Sequence, residues 1–381
     1  MKAGRKCFVS VLLIFLMVFQ VFAPLKTASG AMVESSIPIS AATYAKEHYQ
    51  EAVEVVKTYD NYYKATATQL ENVKLGTPFA IYELDELVQD EIYYYPLLDS
   101  KNNIVLLMSV IGTTDGWSIS VSEEWVEELK KLGDITSEFI FYKSGDNLYA
   151  ENKTDEFCIV GRVDSSIDAF RKKTYLNKKR AVSYAAGHFV KTNTRRIKIT
   201  NENRNETYAP SFSTSTSSSK ICSLYNKKGQ GNYGLCWAAA VSTICNYRRG
   251  TNITPKAVAD KMHIGYHDGA NLYKAQQALN RFGVTYNNLN WSAADRMSWA
   301  SLKLNINDKY PVYVAAKCPK YGHAVTAYGY TIASGTKYVA LWNSGENNNK
   351  GKSISVVFKE SGTTFAYNNT TYTWMYSVSR Y

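Results

Sequence analysis

The chain has 381 residues, of which 45% are hydrophobic, and it carries a net charge of +11. This length predicts two or three domains, and the hydrophobic content excludes a disordered protein. The 22 glycines and 8 prolines exclude a collagen-like or low-complexity chain.

The first residues have the layout of a secretory signal peptide. Lys2, Arg5 and Lys6 precede an apolar run over residues 8–23, and small residues follow at 28–31. An uncleaved membrane anchor is the alternative, but the run is short for a span and small, cleavage-type residues follow it. The sequence therefore predicts a signal peptide over residues 1–31 and a secreted protein without a stable membrane anchor.

Charge divides the rest of the chain into three parts. Residues 32–170, here called the N-terminal body, carry −15; residues 171–219 carry +9; and residues 220–381, the C-terminal body, carry +13. A basic domain often binds nucleic acid, but the predicted secretion and the lack of a dense basic helix count against it. Electrostatic attraction between the acidic N-terminal body and the basic C-terminal body explains the charges better than nucleic-acid binding does, so no nucleic-acid partner is predicted.

The N-terminal body reads as an α+β domain. Its patterns predict a helix over 41–63 and another over 123–132, the second capped by Ser122 and ended by Gly133. The predicted strands cover residues 78–84, 92–97, 104–111, 117–121, 139–142 and 157–160. No catalytic constellation is found in this body.

The part between the two bodies, residues 171–219, is basic and rich in Ser and Thr towards its end. Residues 211–220 read SFSTSTSSSK, which predicts a flexible, polar linker. The dibasic pairs at 179–180 and 195–196 lie upstream of it, so it could be a site of proteolytic processing. An ordinary interdomain hinge fits equally well.

In the C-terminal body, helices are predicted before strands. The helices cover 236–249, a short segment that starts at Thr254, 271–282 and 297–307; the strands cover 311–316, 324–330, 338–343, 353–358 and 372–378. This order predicts an α+β domain with a helical half and an antiparallel β half. A cleft between two such halves is a usual place for a substrate.

Cys236 is the candidate nucleophile. It follows a Gly-containing loop and opens a predicted helix, where backbone N–H groups favour a thiolate over a thiol. The position therefore predicts a lowered pKa for this cysteine, and a nucleophilic sulfur near neutral pH.

Three further residues could complete a catalytic site around Cys236. His323 begins one predicted strand and Asn343 ends the next, so the two could meet, with His323 as the base and the Asn343 carbonyl orienting its ring. Gln230 lies six residues before Cys236, and its amide could join the Cys236 backbone N–H in holding an oxyanion.

These residues stand in motifs that resemble those of papain-like cysteine peptidases. The motifs are QGNYGLCWA at 230–238, GHAV at 322–325 and WNSG at 342–345. The likeness is to compact secreted bacterial members such as the staphopain-like and C39-like groups, and it covers about residues 221–381. It implies Cys236 as nucleophile, His323 as base and acid, Asn343 as orienting residue and Gln230 as oxyanion donor.

The sequence departs from the family pattern in two ways. Tyr233 stands where the family has an extra cysteine, so the corresponding disulfide is absent. His323 and Asn343 lie 87 and 107 residues after Cys236, nearer than the roughly 130–150 of plant-type enzymes. These shorter spacings indicate that loops have been shortened relative to plant-type enzymes.

Other polar residues give weaker signals. His263 and His267 have the i, i+4 spacing of some metal sites, but Gly265 interrupts them and no acid lies between, so no metal site is predicted. Four further cysteines could form disulfides in a secreted protein, with more than one possible pairing: Cys158, Cys222, Cys245 and Cys318. Helical phase places Cys245 in the core as a packed thiol.

Together these observations predict a secreted papain-like cysteine endopeptidase made as a zymogen, which needs no cofactor. The N-terminal body is expected to act as an intramolecular inhibitor of the C-terminal body, whose substrates would be proteins or peptides. Two alternatives stay open. One is an acyl transferase or transpeptidase with the same triad, and the other is a non-enzymatic binding protein on a degenerate peptidase scaffold.

Overall fold

The computed structural model describes residues 37–59, 61–83, 90–132, 138–144, 147–151, 156–160, 197–198, 216–292 and 296–381. The predicted signal peptide and nearly all of the basic segment 171–219 lie outside these residues. Among the helices that are described, none is both long and apolar enough to cross a bilayer.

The N-terminal body contains helices and mainly antiparallel strands. Its helices are α1 (Ile39–Lys57) and α2 (Val126–Lys130). Its strands are β1 (Lys74–Leu75), β2 (Ile81–Glu83), β3 (Ile92–Leu98), β4 (Ile104–Thr113), β5 (Gly116–Ser122), β6 (Glu138–Ser144), β7 (Asn147–Glu151) and β8 (Glu156–Val160). Strand β9 (Ile197–Lys198) lies in the basic segment and pairs with β6.

The C-terminal body begins with strand β10 (Thr216–Ile221), continues with helices and ends in strands. Its helices are α3 (Cys236–Arg249), α4 (Pro255–Met262), α5 (Leu272–Arg281), α6 (Trp299–Asn307) and the one-turn α7 (Glu346–Asn349). Its further strands are β11 (Asn288–Asn290), β12 (Val312–Lys317), β13 (Gly322–Ala333), β14 (Thr336–Asn343), β15 (Lys352–Val357), β16 (Thr364–Tyr367) and β17 (Thr370–Ser379).

One antiparallel sheet runs through both bodies. Among the described strands its order is β1-β3-β4-β5-β15-β14-β13-β12-β17-β11, with β10 beside β13 and β16 beside β17. The two bodies join where β5 pairs with β15, in a register that places Ser122, Val121 and Ser120 opposite residues 354–356. Strands β2, β6, β7 and β8 form a second sheet.

Hydrophobic packing also crosses the boundary between the bodies. One continuous core includes α1 and strands of both bodies, and the Tyr62 ring stacks on Tyr328 with centroids 4.2 Å apart. The Tyr338 hydroxyl donates to Glu51 of α1 over 2.7 Å. The two bodies are thus joined by hydrophobic packing and by strand pairing, in addition to the attraction between their opposite charges. The charge pattern of the sequence predicted only the attraction.

The helices of the C-terminal body follow their sequence signals closely. Helix α3 has the predicted bounds and ends before Gly250, whose φ of 69° suits a residue without a side chain. The Thr254 side chain accepts a hydrogen bond from the backbone N–H of Ala257, and Pro255 occupies the first turn of α4. Helices α3, α4 and α5 form a second core, which packs against Tyr313 and Ala324 of the sheet.

The predicted helix over 123–132 is largely wrong. The helix covers only Val126–Lys130, because Trp125 has a left-handed backbone (φ 59°) that ends any regular helix before it. The Ser122 hydroxyl accepts from the N–H of Glu124, as a cap would, but two buried glutamates follow it instead of a helical turn.

The end of the predicted flexible linker is also a strand. Residues 216–220 belong to β10, which pairs with β13 from Thr216↔Ala333 to Ile221↔Gly329. Serine and threonine carry no apolar pattern, but a ladder of backbone hydrogen bonds needs none, and an exposed edge strand tolerates polar side chains. Residues 211–215 lie outside the described part of the chain.

Five short strands have no counterpart among the predicted ones: β1, β7, β9, β11 and β16. Strand β6 pairs with β7, with Ser144 opposite Asn147, whereas the strand over 156–160 pairs with β7 on its other side. The α+β class and the antiparallel sheet are confirmed.

Candidate active site

Cys236 is the first residue of α3, at the point where the loop 230–235 meets the helix. Gly234 lets this loop pass close to another one, because a Cβ on it would lie 3.0 Å from the backbone oxygen of His267. Because Cys236 is the first residue of α3, its side chain lies beside the N–H groups at the start of the helix, which have no hydrogen-bond partner within the helix.

The Cys236 thiol is half-buried and lies against the start of β13. Its sulfur interacts with the backbone N–H groups of Ala324, Trp237 and Cys236 itself, which lower its pKa, but burial is the larger effect and raises the pKa overall. The lowered pKa expected from the helix position is thus wrong for this resting arrangement, in which the neutral thiol is favoured.

His323 directly precedes Ala324, the residue of strand β13 whose backbone N–H interacts with the Cys236 sulfur. Its side chain is 7% exposed, and its ring stacks on that of Tyr367 with centroids 4.8 Å apart and planes 19° apart. Burial lowers the pKa of His323 to about 4, against the opposing effect of its bond to Asn343. The resting imidazole is therefore neutral.

Asn343 ends β14, the strand beside β13, as the sequence predicted. The Nε2–H of His323 donates to Asn343 Oδ1 over 2.6 Å. Because an amide oxygen only accepts, this bond places the imidazole proton on Nε2 and leaves Nδ1 as the basic nitrogen. The same Oδ1 accepts from the backbone N–H of Gly345 over 3.1 Å.

Gln230 is tied to the loop that follows Asn343. Its backbone N–H donates to the oxygen of Ser344 over 3.1 Å, and the Ser344 hydroxyl donates to Gln230 Oε1 over 3.4 Å. Its carboxamide oxygen is thereby occupied, which turns the amide NH₂ into the group that it can offer to a ligand.

The structure thus brings the four predicted residues onto connected elements. The Ala324 backbone links Cys236 to the strand of His323, the imidazole contacts Asn343, and the next residue, Ser344, contacts Gln230. Two neighbours were missed: Glu346, which is hydrogen-bonded to Asn343, and Tyr367, which stacks on His323. Only the rarity of acids in the C-terminal body could have drawn attention to Glu346.

The structure also describes three other cysteines and the two histidines considered as metal ligands. Cys222, Cys245 and Cys318 are free thiols, and Cys245 is fully buried, as its helical phase predicted. The side chain of Cys158 lies outside the described residues. His263 ends α4 with a left-handed backbone, so it shares no helix face with His267; in the described part of the chain no three His, Cys, Asp or Glu side chains gather as metal ligands would.

A thiol, a neutral imidazole with one free basic nitrogen and a fixed amide are the parts of a nucleophilic acyl-transfer site. Residues 220–375 match the Peptidase_C39 like family. This match confirms the resemblance to cysteine peptidases of the C39/papain-like type. We refer to these residues as the C39-like domain; it includes all four candidate residues and every helix of the C-terminal body. No curated protein matches the chain.

Proposed function

We propose that the C39-like domain is a papain-like cysteine endopeptidase with a Cys236–His323–Asn343 triad. The observation that carries this proposal is the 2.6 Å hydrogen bond between His323 and Asn343. His323 lies on β13, and the next residue of that strand, Ala324, contacts the Cys236 sulfur through its backbone N–H. A packed structural histidine would not need a buried amide that fixes its tautomer and leaves Nδ1 unprotonated.

The reaction follows from the proton positions. Cys236 transfers its proton to His323 Nδ1, and the sulfur attacks the peptide carbonyl carbon. The imidazolium then protonates the leaving amine as the C–N bond breaks, which gives an acyl-enzyme. His323 next takes a proton from water, which hydrolyses the thioester and returns the thiol.

The developing oxyanion needs two donors at the N-terminal end of α3. The Cys236 backbone N–H points along the helix axis, and the Gln230 amide is the second donor that we propose. Because thiol and imidazole are both neutral at rest, proton transfer accompanies attack, and the N–H groups around the sulfur stabilise the thiolate as it forms.

Purified protein and a fluorogenic peptide library test the proposed triad. We expect Cys236→Ala to abolish hydrolysis, and His323→Ala to lower kcat by about a thousandfold or more. Cys245→Ala, which removes a buried thiol nine residues further along the same helix, serves as the control and should keep the activity. Hydrolysis that survives in Cys236→Ala would refute the triad.

Product analysis separates hydrolysis from acyl transfer. With an added amine, a peptidase yields mainly the free acid, whereas a transpeptidase yields mainly the amide. A wild-type protein that neither hydrolyses peptides nor reacts with a thiol-directed probe at Cys236 would favour the binding-protein alternative.

We further propose that the protein is secreted after removal of residues 1–31 and is made as a zymogen, with the N-terminal body as its inhibitor. The contacts of that body support this, because its Glu124 accepts a hydrogen bond from Asn368, in the turn of the β16–β17 hairpin whose Tyr367 stacks on His323. In this proposal the helical and β halves of the C39-like domain are the two papain-like subdomains on either side of the cleft.

Incubation of the full chain, with Cys236→Ala as the control, tests the zymogen. We expect new N-termini between residues 180 and 220 for the wild type, and a rise in peptide hydrolysis once the N-terminal body has been removed. If hydrolysis by the uncut chain already equals that of the protein from which the N-terminal body has been removed, that body is not an inhibitor.

A further inference from the structure

A buried carboxyl group lies directly behind the proposed triad. Glu346 opens α7, three residues after Asn343, and its side chain is only 2% exposed. Its Oε2 atom has no hydrogen-bond partner among the described residues. Burial of an acid with one oxygen unpaired costs free energy of folding.

Among the described residues, the hydrogen bond that the Glu346 side chain accepts comes from the triad amide. Asn343 Nδ2 donates to Glu346 Oε1 over 3.4 Å. On the other side of the same amide, Oδ1 accepts from His323 and from the backbone of Gly345. Donors therefore surround the Asn343 oxygen, and Glu346 Oε1 accepts from its nitrogen, which together favour this orientation of the amide.

The opposite orientation would disable the imidazole. If the amide of Asn343 turned over, its NH₂ group would face the Gly345 N–H and the His323 ring. The ring would then have to accept at Nε2 and carry its proton on Nδ1, where it could no longer take the proton of Cys236. Orientation of this amide is thus a condition for the proposed base.

The N-terminal body supplies the surroundings of this carboxyl group. Lys352 is the cross-strand neighbour of Asn343, and its ammonium group lies 3.4 Å from Glu123 Oε2, in the loop after β5. Burial first, and then Glu124, raise the pKa of Glu346 well above its ordinary range, which favours the neutral acid. The titratable groups that face Glu346 are Glu123, Glu124, Lys352, Tyr63, Tyr94 and Tyr367.

We infer that Glu346 is a positioning residue, which holds the Asn343 amide in the orientation that keeps His323 Nδ1 free to accept the Cys236 proton. This inference rests on the proposed function. It assigns to Glu346 an effect on the chemical step that is exerted through Asn343 alone.

The test compares Glu346→Leu with Glu346→Gln, since Gln keeps the shape and the acceptor oxygen of a neutral glutamic acid. Two readouts are taken on the full chain: kcat and KM for a peptide that the wild type hydrolyses, and the rate of Cys236 alkylation by iodoacetamide at pH 7, located by peptide mapping. We expect Glu346→Leu to lower both kcat and the alkylation rate about tenfold and to change KM by less than twofold. We expect Glu346→Gln to keep at least a third of the wild-type kcat and of the wild-type alkylation rate.

A double-mutant cycle separates this role from a merely structural one. In an Asn343→Ala background, Glu346→Leu should cause no further loss in kcat or alkylation rate. An equal loss in both backgrounds, or no loss in the wild-type background, would overturn the inference. If Leu at this position prevents folding, Glu346→Asp replaces it, because it withdraws the carboxyl by one methylene, and the same losses are expected.

Failure of the proposed function gives a different result. A wild-type chain that hydrolyses no peptide would contradict the peptidase, but the alkylation rates of the four variants would still decide whether Glu346 acts through Asn343.

Discussion

At the scale of single residues, the His323 ring is fixed by what surrounds it. Asn343 holds one nitrogen, and the Tyr367 ring covers one face of the imidazole. Gly345 makes this stacking possible, because a Cβ there would lie 2.2 Å from the Tyr367 hydroxyl oxygen. The WNSG motif thus places a small residue where the tyrosine must pass.

Gly345→Ala should therefore reduce catalysis without touching a reacting group. The new methyl group overlaps Tyr367 and displaces its ring from His323, and a shift of about 1 Å in catalytic geometry costs up to about a hundredfold in rate. We expect kcat to fall ten- to a hundredfold in steady-state assays. Gly269→Ala is the matched control, since no atom lies within 4 Å of its added Cβ, and equal activity of both variants would contradict the role of the stacking.

At the scale of elements, adjacency of strands assembles the site. Strands β13 and β14 pair antiparallel, which brings the start of one beside the end of the other and so joins His323 to Asn343. The loop between β5 and α2 then lies against both β15 and the β16–β17 turn: Lys352 donates to the backbone oxygen of Glu123, and Glu124 accepts from Asn368.

The buried Glu124 makes stability depend on pH. Burial raises its pKa above the ordinary 4.5, so the folded protein holds a proton that the unfolded chain releases. Its contribution to the free energy of unfolding is fully present below about pH 4.5 and is lost as the pH rises through the folded pKa. The loss is about 1.4 kcal/mol for each unit by which the folded pKa exceeds the unfolded one. His323 acts in the opposite direction, since its lowered pKa costs stability as the pH falls from 6.5 towards 4.

We expect Glu124→Gln to reduce the loss of stability between pH 5 and pH 8, because an amide does not titrate. Urea midpoints measured at unit steps of pH, for the variant and for the wild type, provide the comparison. The control is Glu127→Gln, which changes an exposed glutamate of α2 three residues after Glu124 and should leave the pH dependence of the urea midpoint unchanged. Parallel curves for Glu124→Gln and the wild type would show that Glu124 is ionised in the folded state.

At the scale of the whole molecule, the two bodies share a sheet and a core. The β5–β15 ladder and the packing of α1 across it are not screened by salt, whereas attraction between surface charges is. A cut in the basic segment removes the covalent link and leaves this interface intact.

We therefore expect the two bodies to stay associated after the connector has been cut. Limited proteolysis between residues 180 and 215, followed by gel filtration in 1 M NaCl, should give a single peak that contains both fragments. Separation of the two intact fragments is expected only in denaturant, so removal of the N-terminal body after the cut requires its further proteolysis. Two peaks at high salt would mean that charge attraction, as the sequence alone suggested, is the main force between the bodies.

Agreement with the sequence was best where local signals are strong. The bounds of α3 follow from a Gly stop and an apolar helical pattern, and α4 begins at the Thr-Pro pair that predicted it. It was poorest where backbone pairing outweighs composition, as in β10, or where one residue ends a helix, as Trp125 does. These outcomes depend on partners far along the chain, which local patterns do not report.

The sequence by itself determined which residues are candidates for the chemistry, because the motifs around 230–238, 322–325 and 342–345 each specify a local structure and a reactive group. Only the tertiary structure decided the protonation of those groups: burial between α3 and β13 outweighs the helix terminus and favours a neutral thiol and imidazole at rest. It also revealed Glu346 behind Asn343 and the single sheet through both bodies. Burial and strand pairing are properties of the folded surroundings, so no stretch of sequence carries them alone.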